Sequence, residues 1–224
     1  MSSTTKRATE GSQTLARGLR ALALIGESST PLTVPKLAEE LDIHRSMAYR
    51  LVRTLEDFGF VERDSGGCLE IGVRVATLTR SIARDLQAAA NPELVSLADT
   101  LGMTAFLVTY DGEEAVTLLA VEPQKALTTV AQRPGSRHPI DHGAPGRVIR
   151  SQLNPEEFPP KQYELSQDEV FAGLTSIAVP LRTNDGRPAS LAILYVTDGG
   201  ADIPDAAAEL ARSAKRIERV LGLA

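Results

Sequence analysis

A three-residue connection between two amphipathic segments constrains the fold of this 224-residue chain more than any other feature. On either side of it, apolar residues recur at i, i+3, i+4 and i+7, the spacing of one buried helical face. The first set is Val34, Leu37, Ala38 and Leu41, and the second is Ala48, Leu51, Val52 and Leu55. The connection itself, Asp42-Ile43-His44, is long enough only for a tight turn. The sequence therefore predicts a helix-turn-helix.

Further elements flank this pair of helices. An earlier amphipathic helix is marked by Leu15, Leu19, Leu22 and Ile25. Thr33 is placed to cap the second helix. After the third helix, residues 60–63 and 68–71 are short strand-like runs, and the Asp64–Gly67 segment between them has the composition of a hairpin turn. Three helices followed by a hairpin predict a winged helix-turn-helix domain over residues 10–73.

The third helix separates an apolar back from a polar front. At about 100° per residue, four side chains fall opposite the apolar set, namely Ser46, Tyr49, Arg50 and Arg53. Arg45 stands at the start of the helix. In a winged helix-turn-helix the third helix enters the major groove of DNA and the wing touches the backbone. The pattern therefore predicts DNA contacts from these residues, and from the wing residues Arg63, Gly66 and Gly67.

The remaining basic residues allow two interpretations. Arg17 and Arg20 on the first helix either contact phosphates or are plain solvated charges, because many surface arginines contribute little. The net charge of −5 argues against a nucleic-acid partner on average, but the acidic excess lies beyond residue 75. A three-helix unit with a merely solvated polar face is the alternative. The tight turn, the Arg/Ser/Tyr front and the glycine-tipped hairpin together favour DNA binding.

The rest of the chain predicts an α+β domain. Residues 72–90 have the pattern of a long helix, interrupted at Asn91-Pro92 before a second helix that ends at Gly102. Strand-like runs follow at residues 104–110, 115–121, 126–131, 175–181 and 189–196. The last two flank a hairpin signal at residues 183–187, and a short helix precedes them with proline at its start. A closing helix carries Leu210, Ala214, Ile217 and Leu221 on one face.

Three segments of the N-terminal part resemble the IclR family of bacterial transcriptional regulators: TLARGLRALALIG, PLTVPKLAEELDIHRSMAYRLVRTLEDFGFVERD and GGCLEIGVRVATL. Further on, APGRVIRSQL and VFAGLTSIAVPL are similar to later family segments, although the stretch between Ser151 and Ser166 is shorter than usual. The resemblance implies a linker helix over residues 74–90 and a GAF-like effector-binding domain over residues 91–224. It also implies homodimers, or dimers of dimers, on palindromic double-stranded operator DNA, with no cofactor.

The resemblance also implies a pocket for a small organic acid. Asp141–Gly146 are predicted to form a loop ahead of a helix over residues 147–153, whose amides would hold a carboxylate. The family pattern singles out Ala144, Gly146 and Ser176 there. Ile193 and Tyr195 stand where family members often carry small polar residues, and alternation puts them on one face with Leu191. They either line the pocket, which favours an apolar or aromatic acid, or fill the core.

Oligomer formation has a candidate surface on the linker helix. Val75, Leu78 and Ile82 recur at i, i+3 and i+7. This stripe packs either against a partner subunit or against the effector-binding domain of the same chain. A single winged helix reads one half-site, which favours the first interpretation.

The runner-up function is a small-molecule hydrolase or another enzyme with a fused helical domain. His138, Asp141 and His142 have metal-ligand spacing, but Pro139 and Gly143 indicate a loop there, and no second cluster completes a site. Cys68 has no histidine near it in sequence, and nucleotide-binding and nucleophile motifs are absent. We therefore expect no enzyme activity and no bound metal. The single cysteine, the polar N-terminus and the lack of an 18-residue apolar run predict a cytoplasmic protein without a membrane span.

Overall fold

The computed structural model describes residues 11–28, 30–79, 83–124, 130–197 and 202–223. The chain divides into an N-terminal unit, Met1–Ile82, and a C-terminal unit, Ala83–Ala224. Among the described residues, no helix is long and apolar enough to cross a membrane.

The N-terminal unit is a winged helix-turn-helix, as the sequence predicts. Its helices are α1 (Gln13–Glu27), α2 (Val34–Glu40), α3 (Arg45–Asp57) and α4 (Arg74–Thr79), and its antiparallel strands are β1 (Val61–Arg63) and β2 (Leu69–Ile71). Asp42, with a φ of 49°, makes the tight turn between α2 and α3. The core is formed by Ala21, Ile25, Val34, Leu37, Ala48, Val52, Val61 and Leu69.

Two details of this unit correct the expectations. Thr33 precedes α2, but its side chain makes no capping hydrogen bond. A capping oxygen bonds the second or third helical N–H, and at the second position Pro35 has none. On α1, Leu15 and Leu19 remain 63% and 60% exposed, because only the C-terminal half of that helix packs into the core of this unit.

The C-terminal unit is a six-stranded antiparallel sheet with helices on both faces. The helices are α5 (Arg84–Leu101), α6 (Gly143–Leu153) and α7 (Ile203–Val220). The strands are β3 (Thr104–Tyr110), β4 (Ala115–Val121), β5 (Arg137–His138), β6 (Glu164–Gln167), β7 (Leu174–Leu181) and β8 (Ala189–Val196). Their order across the sheet is β5-β4-β3-β8-β7-β6. This arrangement is the predicted α+β class.

Alternate residues of the central strands enter two different cores. On one face, Leu191, Ile193 and Tyr195 of β8 belong to the cluster that includes Leu94 of α5 and Leu210 of α7. On the other face, Ala192 and Leu194 pack with the α6 cluster, which includes Phe106, Val108, Val148 and Ile149. Because both faces are covered, β8 is buried from Ala189 to Tyr195, and neither side of the strand is exposed there.

The helices around residue 90 differ from the prediction. Residues 74–90 are not one linker helix, because Ala83 takes a left-handed conformation with φ 43° immediately before α5. Helix α5 then runs without interruption through Pro92. Proline removes one helical hydrogen bond. Buried residues on both sides of it, Ala90 and Leu94, anchor the helix to the core, so that packing outweighs the local loss.

Two expected features fall partly outside the described residues. Most of the strand-like run at 126–131 lies there, and so does Ile82 of the apolar stripe on the linker. The structure also adds β5 and β6, two short strands that the sequence pattern did not predict.

Candidate nucleic-acid interface and ligand cavity

Helix α3 presents the predicted polar front to solvent. Ala48, Leu51 and Val52 are buried, whereas Arg45, Ser46, Tyr49, Arg50 and Arg53 are all exposed. No ion pair involves Arg50 or Arg53 within the part of the chain that the structure describes. The two guanidinium groups are therefore free to bind an external anion.

The start of α3 is fixed by His44, whose role the sequence did not predict. The Nδ1 atom of His44 caps the helix by accepting a hydrogen bond from the Ser46 N–H at 3.3 Å. The same nitrogen lies 2.8 Å from the Ser46 hydroxyl. Because this contact orients Ser46, His44 sets the geometry of the first turn of the polar front. Histidine is an uncommon cap, which is why residue preferences alone did not identify it.

Two other arginines lie beside this helix. The Nη1 of Arg17 on α1 is 3.3 Å from the sulfur of Met47, so Arg17 is placed next to the first turn of α3. Arg45 makes a loose 4.0 Å pair with Glu39, and both side chains are largely exposed. A pair of this kind contributes little and is easily exchanged for another partner.

The wing is a tight β1–β2 hairpin. The Asp64 carboxylate accepts hydrogen bonds from the N–H groups of Gly66 and Cys68, both at 2.8 Å. Gly67 has a φ of 79°, which explains the glycine at that position. Arg63 does not project freely, because its Nε lies 2.6 Å from the carboxylate of Glu56 near the end of α3. The predicted backbone contact from Arg63 would require this pair to open.

The C-terminal unit contains a cavity of about 210 Å³ between the start of α6 and the sheet. Its walls come from β3, β5, β6, β7, β8, the β6–β7 turn, the first turn of α6 and the segment before β5. The residues that line it include Phe106, Arg133, Ser136, His138, Gly143, Pro145, Ser166, Val170, Phe171, Leu174, Ser176 and Leu194. A volume below the roughly 300–1,000 Å³ typical of drug-sized ligands favours a small molecule.

Ser176 lines this cavity, and the structure places Ser166 beside it. Their hydroxyl oxygens are 3.0 Å apart and both residues are buried. Two hydroxyls carry two hydrogens, and their mutual bond uses only one. The other hydrogen is available to an oxygen of a ligand. Ser166 lies opposite Ser176 in the β6–β7 register. The sequence pattern does not reveal this pairing, because it does not predict β6 as a strand.

Ile193 and Tyr195 are not part of the cavity. Both pack into the α5–α7 core on the opposite face of the sheet, and burial raises the pKa of the Tyr195 hydroxyl. Ile193 and Tyr195 do share one face of β8, as the alternation predicts, but the cavity lies on the opposite face of the strand. Leu194, together with Phe106 of β3, forms the apolar wall. This position corrects the prediction that Ile193 and Tyr195 contact the ligand.

The helix next to the cavity also begins earlier than predicted. Helix α6 starts at Gly143, so Ala144 and Gly146 are buried helical residues and do not belong to a loop. A Cβ on Gly146 would lie 2.9 Å from the Pro139 carbonyl oxygen, so this glycine allows close packing. Asp141 is exposed and its carboxylate lies 2.6 Å from the Nδ1 of His142. Among these residues only Gly143 and Pro145 face the cavity.

Internal ion pairs hold Arg137 and Arg147 near the cavity, whereas no ion pair of Arg133, which also lines it, is found among the described residues. Arg137 lies 2.8 Å from Glu114 and 2.6 Å from Asp111, and the hydrogen bond with Glu114 raises the pKa of Arg137. Arg147 of α6 lies 3.1 Å from Glu164. It also donates to the Leu165 carbonyl oxygen and to the carboxylate of Glu169.

The His138–Asp141–His142 spacing does not create a metal site. The Nδ1 of His138 lies 3.1 Å from the Pro139 carbonyl oxygen, whereas His142 pairs with Asp141. Over the described ranges, no group of three histidine, cysteine, aspartate or glutamate residues is arranged to hold a metal ion.

Comparisons with known proteins agree with this architecture. Residues 14–65 match the IclR helix-turn-helix domain. The HTH-type transcriptional repressor AllR of Salmonella paratyphi A is 29% identical over 154 residues, which cover 67% of this chain and 56% of the relative. AllR of Escherichia coli K12 is similar to the same extent. The chain therefore spans just over half the length of the curated relatives that it matches.

Solved structures extend the likeness to nearly the whole chain. An IclR regulator from Alicyclobacillus acidocaldarius has a TM-score of 0.79 and 24% identity, covering 95% of this chain and 100% of its own. An IclR homolog from Microbacterium hydrocarbonoxydans, complexed with 4-hydroxybenzoate, has a TM-score of 0.80 and 21% identity, with 94% and 100% covered. At these identities the likeness shows the fold.

Proposed function

From the premise that this chain has an IclR helix-turn-helix domain and the IclR regulator fold, we propose that it is a DNA-binding transcriptional regulator that responds to a small organic acid. The observation that carries the proposal is the exposed front of α3, where no described carboxylate pairs with Arg50 or Arg53 and the opposite face of the helix is buried. A helix of this kind is what major-groove recognition requires.

The contacts to DNA divide by position. Arg50, Arg53, Ser46 and Tyr49 lie on the part of α3 that enters the groove, where bidentate arginine contacts distinguish guanine from other bases. Other groups would bind phosphates and fix the register on the duplex, namely Arg45, Arg17 and the wing tip at Gly66.

The effector site is the cavity beside α6. Its apolar walls, Phe106 and Leu194, suit a hydrocarbon or aromatic body, and the Ser166–Ser176 pair supplies a polar contact. The 4-hydroxybenzoate in the Microbacterium relative is a molecule of this chemical type. We therefore propose a small aromatic or branched carboxylic acid as the effector, with Ser176 as a ligand contact. This assignment drops Ile193 and Tyr195, and it gives Ala144 and Gly146 a packing role.

Regulation by such a protein implies assembly. Specific affinity for an operator needs two winged helices on two half-sites, so we propose a homodimer or a dimer of dimers in the cytoplasm. The proposal assigns no catalytic step to the chain.

The test is selection of bound DNA from a random duplex pool by the full chain, followed by fluorescence anisotropy on the enriched sequence at fixed salt. A pseudo-palindromic sequence bound at least about a thousandfold more tightly than scrambled DNA is expected. 4-Hydroxybenzoate and branched short-chain acids are then titrated into the complex. Recovery of no preferred sequence would refute the DNA-binding function, and an affinity unchanged by every acid would refute the effector class.

A further inference from the structure

The turn between β6 and β7 lies against the start of α6, at one side of the cavity. Val170 and Phe171 of this turn line the cavity and are themselves partly exposed. At its base, the Gly173 N–H donates to the Asp168 carboxylate at 2.6 Å, and Asp168 has a φ of 58°. Residues 168–173 therefore form a small closed loop, here termed the flap.

One side chain of the flap contacts the start of the helix. The Glu169 carboxylate accepts a hydrogen bond from the Gly143 N–H, at 3.2 Å, and another from the guanidinium of Arg147. The hydrogen bond with Arg147 lowers the pKa of Glu169, so the group is an anion at neutral pH. A carboxylate of the protein thus accepts the hydrogen bond of the first amide of α6. A ligand carboxylate would be stabilised most by the helix dipole at the same place.

We propose that Glu169 is a built-in competitor of the effector, and that an acid binds by replacing it at Gly143, which lifts the flap. The inference rests on the proposed effector site and specifies the ligand as a carboxylate. Gly143 and Pro145 line the cavity, so a ligand inside it reaches the same amide. The flap closes this route, because Val170 lies 3.1 Å from the position that a Cβ on Gly143 would take.

The groups that bind the Glu169 carboxylate would stay in place when Glu169 moves away. Arg147 keeps its 3.1 Å pair with Glu164 and its hydrogen bond to the Leu165 carbonyl oxygen, both on β6, when the flap leaves. The uncommitted hydrogen of the Ser166–Ser176 pair offers a further donor within the same cavity. An incoming carboxylate therefore meets a prepared amide, a fixed cation and a hydroxyl, and only the internal carboxylate has to move.

Competition by Glu169 predicts the direction in which ligand affinity changes when Glu169 is substituted. Removing the competitor raises the affinity for acids, because the binding-competent state no longer has to be released from the Glu169 contact. A neutral ligand, which does not need the Gly143 amide, is insensitive to the same change. A residue that merely supported the cavity would act in the opposite direction and weaken every ligand.

The experiment uses the full chain and isothermal titration calorimetry with 4-hydroxybenzoate and the neutral 4-hydroxybenzyl alcohol. Glu169→Gln keeps the size of the side chain and removes its charge, and Glu156→Gln removes the same charge from an exposed turn after α6 as the matched control. We expect Glu169→Gln to bind the acid about tenfold more tightly, the scale of one charge-assisted hydrogen bond. The alcohol and the control variant should change less than about twofold.

Hydrogen exchange on the wild-type chain tests the movement independently. Saturating 4-hydroxybenzoate should accelerate exchange of the amides at 168–174, whereas the alcohol should leave them unchanged. Two results would refute the proposal that Glu169 competes with the effector. One is equal or weaker acid binding by Glu169→Gln, and the other is slower amide exchange at 168–174 in the presence of the acid.

Other outcomes separate the two proposals. If the alcohol binds and the acid binds no variant, the cavity still takes ligands, but competition by Glu169 is refuted. If neither probe binds, the carboxylate inference fails, while DNA selection by the same protein continues to test the regulator.

Discussion

Two arginines on α3 and two arginines near the cavity differ in how they are paired. On α3, Arg50 and Arg53 are exposed, and no described carboxylate pairs with them. Around the cavity, Arg137 and Arg147 are each bonded to two carboxylates of the protein itself. On the proposed function, the free charges of α3 are available to a polyanion, whereas Arg137 and Arg147 position the walls and loops of the cavity. The same residue type should therefore give opposite phenotypes in the two units.

The strongest contrast is expected at Arg147. Arg147→Met should lower the free energy of unfolding by about 3 kcal/mol, because it removes the hydrogen bonds to Glu164, to Glu169 and to the Leu165 carbonyl oxygen, and leaves only Lys161, at 3.0 Å, paired with Glu164. Arg53→Ala, the control on the exposed front, should change stability by less than about 0.5 kcal/mol. Urea denaturation followed by circular dichroism measures both. Similar losses of stability in Arg147→Met and Arg53→Ala would contradict the distinction between ion-paired and unpaired arginines.

DNA affinity should show the reverse order. Arg50→Ala is expected to weaken binding to the selected sequence by about 1–3 kcal/mol and to relax its sequence preference if the side chain reads a base. Arg137→Ala, in the other unit, serves as the charge-matched control and should leave DNA binding without effector within about twofold. Fluorescence anisotropy at constant salt separates them. Wild-type affinity from Arg50→Ala and Arg53→Ala alike would remove α3 as the recognition helix.

Arg63 provides an intermediate case within the N-terminal unit. Its 2.6 Å pair with Glu56 holds the wing against α3, so Arg63→Ala should weaken DNA binding by about 1 kcal/mol, less than Arg50→Ala and equally for all sequences. Glu56→Gln frees the guanidinium and should leave affinity unchanged or slightly improved. Competition binding with specific and scrambled duplexes distinguishes the two. A sequence-dependent loss from Arg63→Ala would place its side chain at a base.

The smallest effect is expected inside the cavity. Ser176→Ala removes one hydroxyl contact and should weaken binding of 4-hydroxybenzoate by about 0.5–1.5 kcal/mol with little loss of stability. Tyr195→Phe is the control, because Tyr195 lies on the opposite face of the sheet and should not alter the affinity for the acid. Calorimetric titration of both variants decides between them. A loss from Tyr195→Phe that matches the loss from Ser176→Ala would contradict the separation of the two faces.

The accuracy of the sequence predictions differs between the units for a physical reason. On α3, one face packs and the other meets water, so the helical period alone distinguishes Ala48 and Val52 from Arg50 and Arg53. On β8, helices cover both faces, and Ile193 and Leu194 are equally apolar. Alternation then groups Ile193 with Tyr195 but does not tell which face carries the cavity.

Two features that the sequence does not predict, the Glu169–Gly143 hydrogen bond and the continuity of α5, depend on contacts between residues far apart in the chain. Glu169 reaches Gly143 across 26 residues, and no local pattern marks that pairing. The continuity of α5 through Pro92 likewise reflects burial of its neighbours, which outweighs the preference of proline to end a helix. The start of α6 at Gly143 differs from the loop predicted over Asp141–Gly146, because glycine and proline there indicate a loop, whereas proline is also tolerated in the first turn of a helix.

The ends of the sheet carry a consequence for solubility. Within the six-stranded sheet of the C-terminal unit, the two outermost strands are the shortest, Arg137–His138 and Glu164–Gln167. Arg137 and Glu164 are engaged in ion pairs there. Short, charged edge strands offer few unpaired backbone groups to another sheet. Even when the C-terminal unit is destabilised, it is therefore a poor template for edge-to-edge aggregation, and variants such as Arg147→Met should remain soluble enough to be measured.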